Sequence, residues 1–408
     1  MADPRPVLFE YWVTDRFTLV FVGRADLAEP EVLRIPVGRA ELAEAASRAL
    51  DGRAQPAELQ GVCGALVAPV AEWANPGDLV WLVPHDVLHQ IPLHALELAD
   101  GQVLTACNPV CYTPSASVMT YVRSRGNVPL RRAVVYADSR ADQPLLHAEV
   151  QSLALQQIIG EQSVEVHRGS GVTRAAVVKG LTGGADIIHV ACHGIFDSAQ
   201  PTRSGFLLGQ PPERFTAEDF TRLRSQASLV VLSACESGVS YRRPGDELIG
   251  LTRAILYSGA ASVLVSLWSV DEVSTSILMR RFYQGLVDGE GKAVALQRAQ
   301  LAVRDMTLAE VIAYCETLRP ERDGPTLRLI GLDIADMAYR ARDFATALTG
   351  YQRLAAVQDI TTAERAGLAA AMTRCRRAIR VGSVPDYSAR PFADPYYWAP
   401  FVLVGDWR

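Results

Sequence analysis

Hydrophobic and polar positions divide the chain into two patterns. In the first third, Val7–Thr14 and Thr18–Gly23 alternate as two strands around a turn at Asp15-Arg16. Ala40–Leu50 and Ala57–Trp73 carry apolar residues at helical spacing, and Asp78–Val83 reads as a buried strand ending at the turn Pro84-His85-Asp86. Gly126–Pro129 marks a break. From Arg131 onward, strand and helix alternate strictly. The strands are continuous apolar runs, as expected of parallel strands buried on both faces: Ala133–Ala137, Val164–His167, Ala185–Cys192, Ser228–Ala234 and Ala261–Trp268. Between them, His147–Ile159, a short helix capped by Thr173 and running to Leu181, Glu247–Tyr257 and Ser274–Val287 have helical patterning, and Gly259 stops the third of these. Ala399–Gly405 reads as a last strand. The alternation predicts a doubly wound α/β fold with a parallel-rich sheet flanked by helices.

Thr307–Ala378 breaks this rhythm with helical patterning alone. Ile334, Ala335, Tyr339, Asp343-Phe344, Ala347, Leu348 and Tyr351 match one tetratricopeptide-repeat helix pair, although any amphipathic helical hairpin could show so loose a pattern. One repeat cannot bury its own face, so the segment is expected to pack on the sheet as an insertion.

Composition narrows the class. The 408 residues are 49% hydrophobic and 21% charged, an ordinary globular balance that excludes global disorder and coiled coil. The net charge of −5 gives no sign of direct nucleic-acid binding. No apolar run approaches the ~18–20 residues of a membrane span, and MADPRPVLFEYW lacks the pattern of a signal peptide, so the expected location is cytoplasmic, without membrane contact. Seven scattered cysteines read as mostly buried thiols, not a disulfide framework.

Two strand ends carry candidate chemistry. ADIIHVACHGIFD ends a buried strand at Cys192-His193-Gly194, and SLVVLSACESG ends another at Ala234-Cys235-Glu236-Ser237-Gly238. Sites in open α/β sheets form at the carboxyl ends of strands. A cysteine nucleophile needs an imidazole to handle its proton and amide donors aimed at the developing oxyanion. Cys235 could supply the thiol, His193 the base, and the N–H groups of Gly194 and Cys235 the oxyanion donors. A strand-terminal cysteine taken alone is more often structural; the matching His-Gly is what sets this one apart.

These residues resemble the CHAT domain family, caspase-like cysteine peptidases of clan CD related to caspases and separases. LVWLVPHDVLHQIPLHAL, CYTPSASVM, GDELIGLTRAILYSGAASVLVSLWSVDE and DPYYWAPFVLVGD extend the resemblance over essentially the whole chain, the helical segment excepted. The resemblance implies a pseudo-caspase-like N-terminal subdomain (1–126), a caspase-like catalytic core (130–306), the tetratricopeptide-like insertion (307–378) and a C-terminal strand completing the catalytic sheet (394–408). It also implies that His193 and Cys235 form the catalytic dyad of an endopeptidase. The expected partners are a protein or peptide substrate and a regulatory protein held by the helical insertion. No metal or organic cofactor is expected.

By the same resemblance, the loop holding Trp268 and Asp271 lines the S1 pocket, where Asp271 would select a basic P1 residue. Asp271 could equally open the Ser274 helix, where an acid favours the helix dipole. Asp138 borders the cleft or serves as a turn residue. His85, His89, His94, Cys107 and Cys111 match no standard zinc spacing, and His189 and Cys192 read as core. There is no GxxxxGK[ST], HExxH or GxSxG. Two other readings stay open: a catalytically silent scaffold that binds a partner protein, and a thiol acyltransferase.

Overall fold

A computed structural model describes residues 4–50, 56–118, 131–137, 146–195, 197, 200–209, 213–233, 246–318, 324–357 and 360–408. The first part supplies strands β1 (Pro6–Val13), β2 (Thr18–Arg24), β3 (Glu31–Ile35), β4 (Leu79–Val83) and β5 (Val110–Tyr112). Its helices are α1 (Arg39–Leu50), α2 (Pro56–Val67), α3 (Val70–Trp73) and α4 (Leu104–Cys107). The expected single helix over Ala57–Trp73 is two helices. Pro69 has no N–H to continue the ladder, and the chain breaks there.

The second part follows the predicted alternation: β6 (Ala133–Ala137), α5 (Leu146–Ile159), β7 (Val164–Arg168), α6 (Arg174–Thr182) and β8 (Ile187–Ala191). Then come β9 (Gly194–Ile195), β10 (Gly205–Leu208), β11 (Glu213–Thr216), α7 (Ala217–Thr221), β12 (Leu229–Leu232), α8 (Asp246–Ser258), β13 (Ser262–Ser266) and α9 (Glu272–Val287). The rest is helical until the end: α10 (Lys292–Asp305), α11 (Leu308–Leu318), α12 (Gly324–Arg340), α13 (Phe344–Ala355), α14 (Thr362–Val381) and α15 (Pro395–Trp398), then β14 (Phe401–Gly405). Among the described residues, no helix is long and apolar enough to cross a membrane.

Eleven strands form one sheet in the order β3-β2-β1-β4-β5-β14-β13-β12-β8-β6-β7. Neighbours run parallel except at β1–β2, β2–β3 and β13–β14. This is the expected class, an α/β fold with a parallel-rich sheet between helices. The final strand stands in the middle of the sheet. Leu403 of β14 pairs with Leu264 of β13, and Val404 on its other side pairs with Tyr112 of β5. Because β4, β6, β8, β12 and β14 bury both faces, their sequences are apolar throughout, His189 in β8 excepted. β1 instead alternates, burying Val7, Phe9, Tyr11 and Val13. One face of the sheet packs on α1, α2, α6 and α8, the other on α5, α9, α10 and α11.

The helical segment is tied in at one end. Leu308, Val311 and Cys315 of α11 and Ile330 and Met337 of α12 join the large core under the sheet. Farther out, Ala335, Ala338, Ala347, Tyr351, Leu368, Ala371 and Cys375 of α12–α14 make a small core of their own. Asp343 caps α13 through the Thr346 amide at 3.1 Å and accepts from the Tyr387 hydroxyl at 2.8 Å, which fixes the returning chain.

Candidate active site

Strand order around the site reverses between β6 and β8, where the chain goes to β7 on one side and to β12 on the other. Such switch points open a crevice at the carboxyl edge. β8 and β12 are parallel neighbours with Val190 opposite Leu232, and the Ser233 amide donates to the Val190 carbonyl at 2.9 Å. His193 lies three residues past Val190, buried to 3% exposure. In sequence, Cys235 lies three residues past Leu232. Cys235 and Asp138 both fall outside the described residues; each follows a strand, β12 and β6, that pairs with β8.

His193 is held by a second, three-stranded sheet, β11-β10-β9. The Leu207 amide donates to the His193 carbonyl at 2.9 Å. Gly194 and Phe206 are the next pair in this antiparallel ladder, a position without mutual backbone hydrogen bonds, so the Gly194 amide turns away from β10. Phe206 and Phe215 stack on one face of the small sheet and Phe220 meets both edge-on, with centroids 5.1–6.3 Å apart. Gly205 permits this packing, since a Cβ there would lie 1.9 Å from the Phe215 carbonyl oxygen. The sequence reading missed this sheet. Its signal, the short apolar stretch Gly205–Leu208 between Pro-containing turns, is too brief to stand out.

Beyond β13, Trp268 is half-buried, and its indole N–H donates to the Tyr396 carbonyl at 3.1 Å. Asp271 is the N-cap of α9, one carboxylate oxygen accepting from the Ser274 amide at 2.8 Å. The helix-opening alternative therefore describes that oxygen. The loop itself follows β13, the strand beside β12, so Trp268 and Asp271 come after the same sheet edge as His193. Next to it, over β13, β14 and β5, an apolar hollow is lined by Ile91, Tyr112, Thr252, Val265, Leu267 and Val402. Ser233, also missed, buries a hydroxyl that has no hydrogen-bond partner among the described residues.

Three further histidines are held in packing and hydrogen bonds. His189 is fully buried, with Nδ1 2.7 Å from the Tyr283 hydroxyl and Nε2 3.0 Å from Gln151 Oε1. Because Oε1 can only accept, Nε2 carries the proton and Nδ1 accepts from Tyr283. Burial pushes His189 down to about 3 and His94, bonded to the Tyr112 hydroxyl at 2.9 Å, down to about 4. His85 accepts the Val13 amide at 3.2 Å and stacks on Trp12. The Cys192 thiol is buried and donates to the Tyr136 carbonyl at 3.5 Å. Among the described residues, no group of three His, Cys, Asp or Glu side chains is placed to hold a metal ion.

A parallel-rich α/β sheet with a histidine at the carboxyl edge, beside its switch point, defines the class. The CHAT domain family matches residues 57–406, and the chain belongs to that family. It is 28% identical over 233 residues to tetratricopeptide repeat protein 28 of Homo sapiens and 27% identical over 232 residues to that of Mus musculus. Each match covers 48% of this chain and 9% of the relative, so the chain spans a small part of those proteins. Among solved structures, the Arg-specific cysteine proteinase gingipain R is similar over 64% of this chain and 68% of its own. The sequence identity is 13% and the TM-score 0.39.

Proposed function

We propose that this chain is a cysteine endopeptidase of the CHAT type, acting in the cytoplasm on a protein substrate. The observation that carries the reading is the matched register of β8 and β12, with His193 and Cys235 each three residues past a paired position. In this mechanism His193 takes the Cys235 thiol proton as sulfur bonds to the scissile carbonyl carbon. The oxyanion accepts from the Gly194 and Cys235 amides. His193 returns the proton to the amine as the C–N bond breaks. Water then adds to the thioester, giving a proton to His193, and the carboxylate leaves as the thiol reforms. No step needs a metal or an organic cofactor.

Asp271, Trp268 and Asp138 are the S1 candidates, and the hollow beside Leu267 is suited to an apolar side chain of the bound peptide. The pseudo-caspase-like division at 1–126, the catalytic core 130–306, the insertion 307–378 and the strand segment 394–408 belong to this proposal, as does a regulatory partner on the insertion. The relatives' name supports the alternative, a catalytically silent scaffold. A peptide-directed, thiol-reactive probe separates the two readings. The wild type should label stoichiometrically, Cys235→Ala not at all and His193→Ala much more slowly. Equal labelling of all three would remove the dyad.

A further inference from the structure

We propose that the outer face of α14 is a docking site for an acidic amphipathic helix of a partner protein. This extends the partner role given above to the helical segment and names the chemistry of that partner. The twenty residues of α14 hold five arginines and one glutamate, a net +4 in a chain whose net charge is −5. Leu368, Ala371 and Cys375 face inward. At 100° per residue, Arg376, Arg377 and Arg380 fall on the outward side as one exposed stripe, and Arg365 stands at its flank, donating to the Ala355 carbonyl at 3.4 Å.

Some surface arginines elsewhere have carboxylate partners. Arg5 pairs with Asp78, Arg48 with Glu44, Arg174 with Asp219, and Arg222 with Glu218. Arg374, on the flank of α14 opposite Arg365, lies over the Tyr339 ring, 6.0 Å from its centroid. None of the three stripe arginines has an ion-pair partner among the described residues. The single acid of α14, Glu364, is committed to the capping box with Thr361, accepting its amide at 2.6 Å.

The residues between the arginines select the kind of polyanion. Ala366, Ala369 and Thr373 are small and exposed, so a facing helix can approach closely. A helix with acids at i, i+4 spacing beside a narrow apolar seam complements this surface. Single-stranded nucleic acid would call for aromatic stacking platforms, and α14 has no aromatic residue.

Fluorescence anisotropy on the full-length chain tests the proposal. The probe is a synthetic amphipathic peptide of about 22 residues, a length set by 1.5 Å rise per residue, with glutamates at i, i+4 and a leucine seam. It should bind, and Arg376→Glu/Arg380→Glu should weaken it about tenfold or more, with Arg376→Gln/Arg380→Gln in between. The same peptide with lysine for glutamate should gain affinity for the charge-reversed variant. Circular dichroism confirms that the variants are folded. Three results would each overturn the proposal. One is unchanged affinity on charge reversal. Another is equal binding of a proline-broken peptide of the same composition. The third is tighter binding of a single-stranded oligonucleotide of equal charge. Because binding is read directly, each outcome is independent of whether Cys235 and His193 cleave peptides.

Discussion

His189 and His193 stand four residues apart and do different work. His189 is closed between Tyr283 and Gln151, while His193 lies beyond the strand end, at the edge where β12 also finishes. Burial keeps His189 and His94 neutral, with folded values of about 3 and 4 against the ordinary 6.5. The unfolded chain takes up these protons below about pH 6.5, and the folded chain does not. Stability from these groups is therefore full above that pH and falls as the pH drops toward 4, by at most about 1.4 kcal/mol per pH unit for each. Thermal unfolding followed between about pH 7 and 4.5 should show this decline. His94→Gln should flatten it, and an unchanged slope would show that His94 does not carry it. Asp271 separates two roles by a pair of variants. Asp271→Ala removes the cap of α9 and should destabilise by about 1 kcal/mol, whereas Asp271→Asn keeps a capping oxygen and should hold the melting temperature. If Asp271 also selects a basic P1 residue, Asp271→Asn loses that preference at unchanged stability. A retained preference would take Asp271 out of the pocket. At this scale the sequence showed the His-Gly and Cys strand ends because both interrupt apolar runs. It could not show where the second Asp271 oxygen points, since one carboxylate suits a cap and a pocket equally.

At the scale of elements, long buried strands were legible and short ones were not. β6, β8, β12 and β13 stand out because burial on both faces demands predominantly apolar runs. β3 is an edge strand with glutamate and arginine among its five residues, a composition that blunts edge pairing and also hides the strand. β9, β10 and β11 have two to four residues each, too few for periodicity to register. Their contribution is nonetheless specific, since they fix the His193 carbonyl and orient the Gly194 amide. Gly205→Ala would force a methyl group onto the Phe215 backbone and push β10 and β11 apart. The expected result is a loss of about 1–3 kcal/mol of stability. The fall in peptide hydrolysis should exceed what that loss explains, because His193 shifts with β9. Activity that merely tracked the folded fraction would show that the small sheet does not position the site.

For the whole molecule, the chain end is structurally central. β14 joins β13 to β5, so strands nearly 300 residues apart in sequence share one ladder. The sequence disclosed the strand APFVLVG but not its place, because pairing partners this distant leave no local pattern. Removing residues 399–408 would leave β5 and β13 as open edges and uncover Leu264 and Tyr112. Cooperative thermal unfolding should disappear, and its survival would show that the two parts fold without the joining strand. The helical segment is similarly divided. α11 and α12 are anchored in the main core, and α14 is largely outside it, so surface variants of α14 probe docking without opening the sheet.

Cys235 and His193, each in a segment that follows one of two adjacent parallel strands, are proposed to hydrolyse peptide bonds. A peptide-library cleavage profile of the wild type beside Cys235→Ala tests it most directly. The wild type should give defined cleavage products and Cys235→Ala none at an unchanged melting temperature, with His193→Ala losing a comparable factor. Full turnover by Cys235→Ala, or no cleavage by a wild-type chain that is folded and labels with no thiol probe, would contradict it.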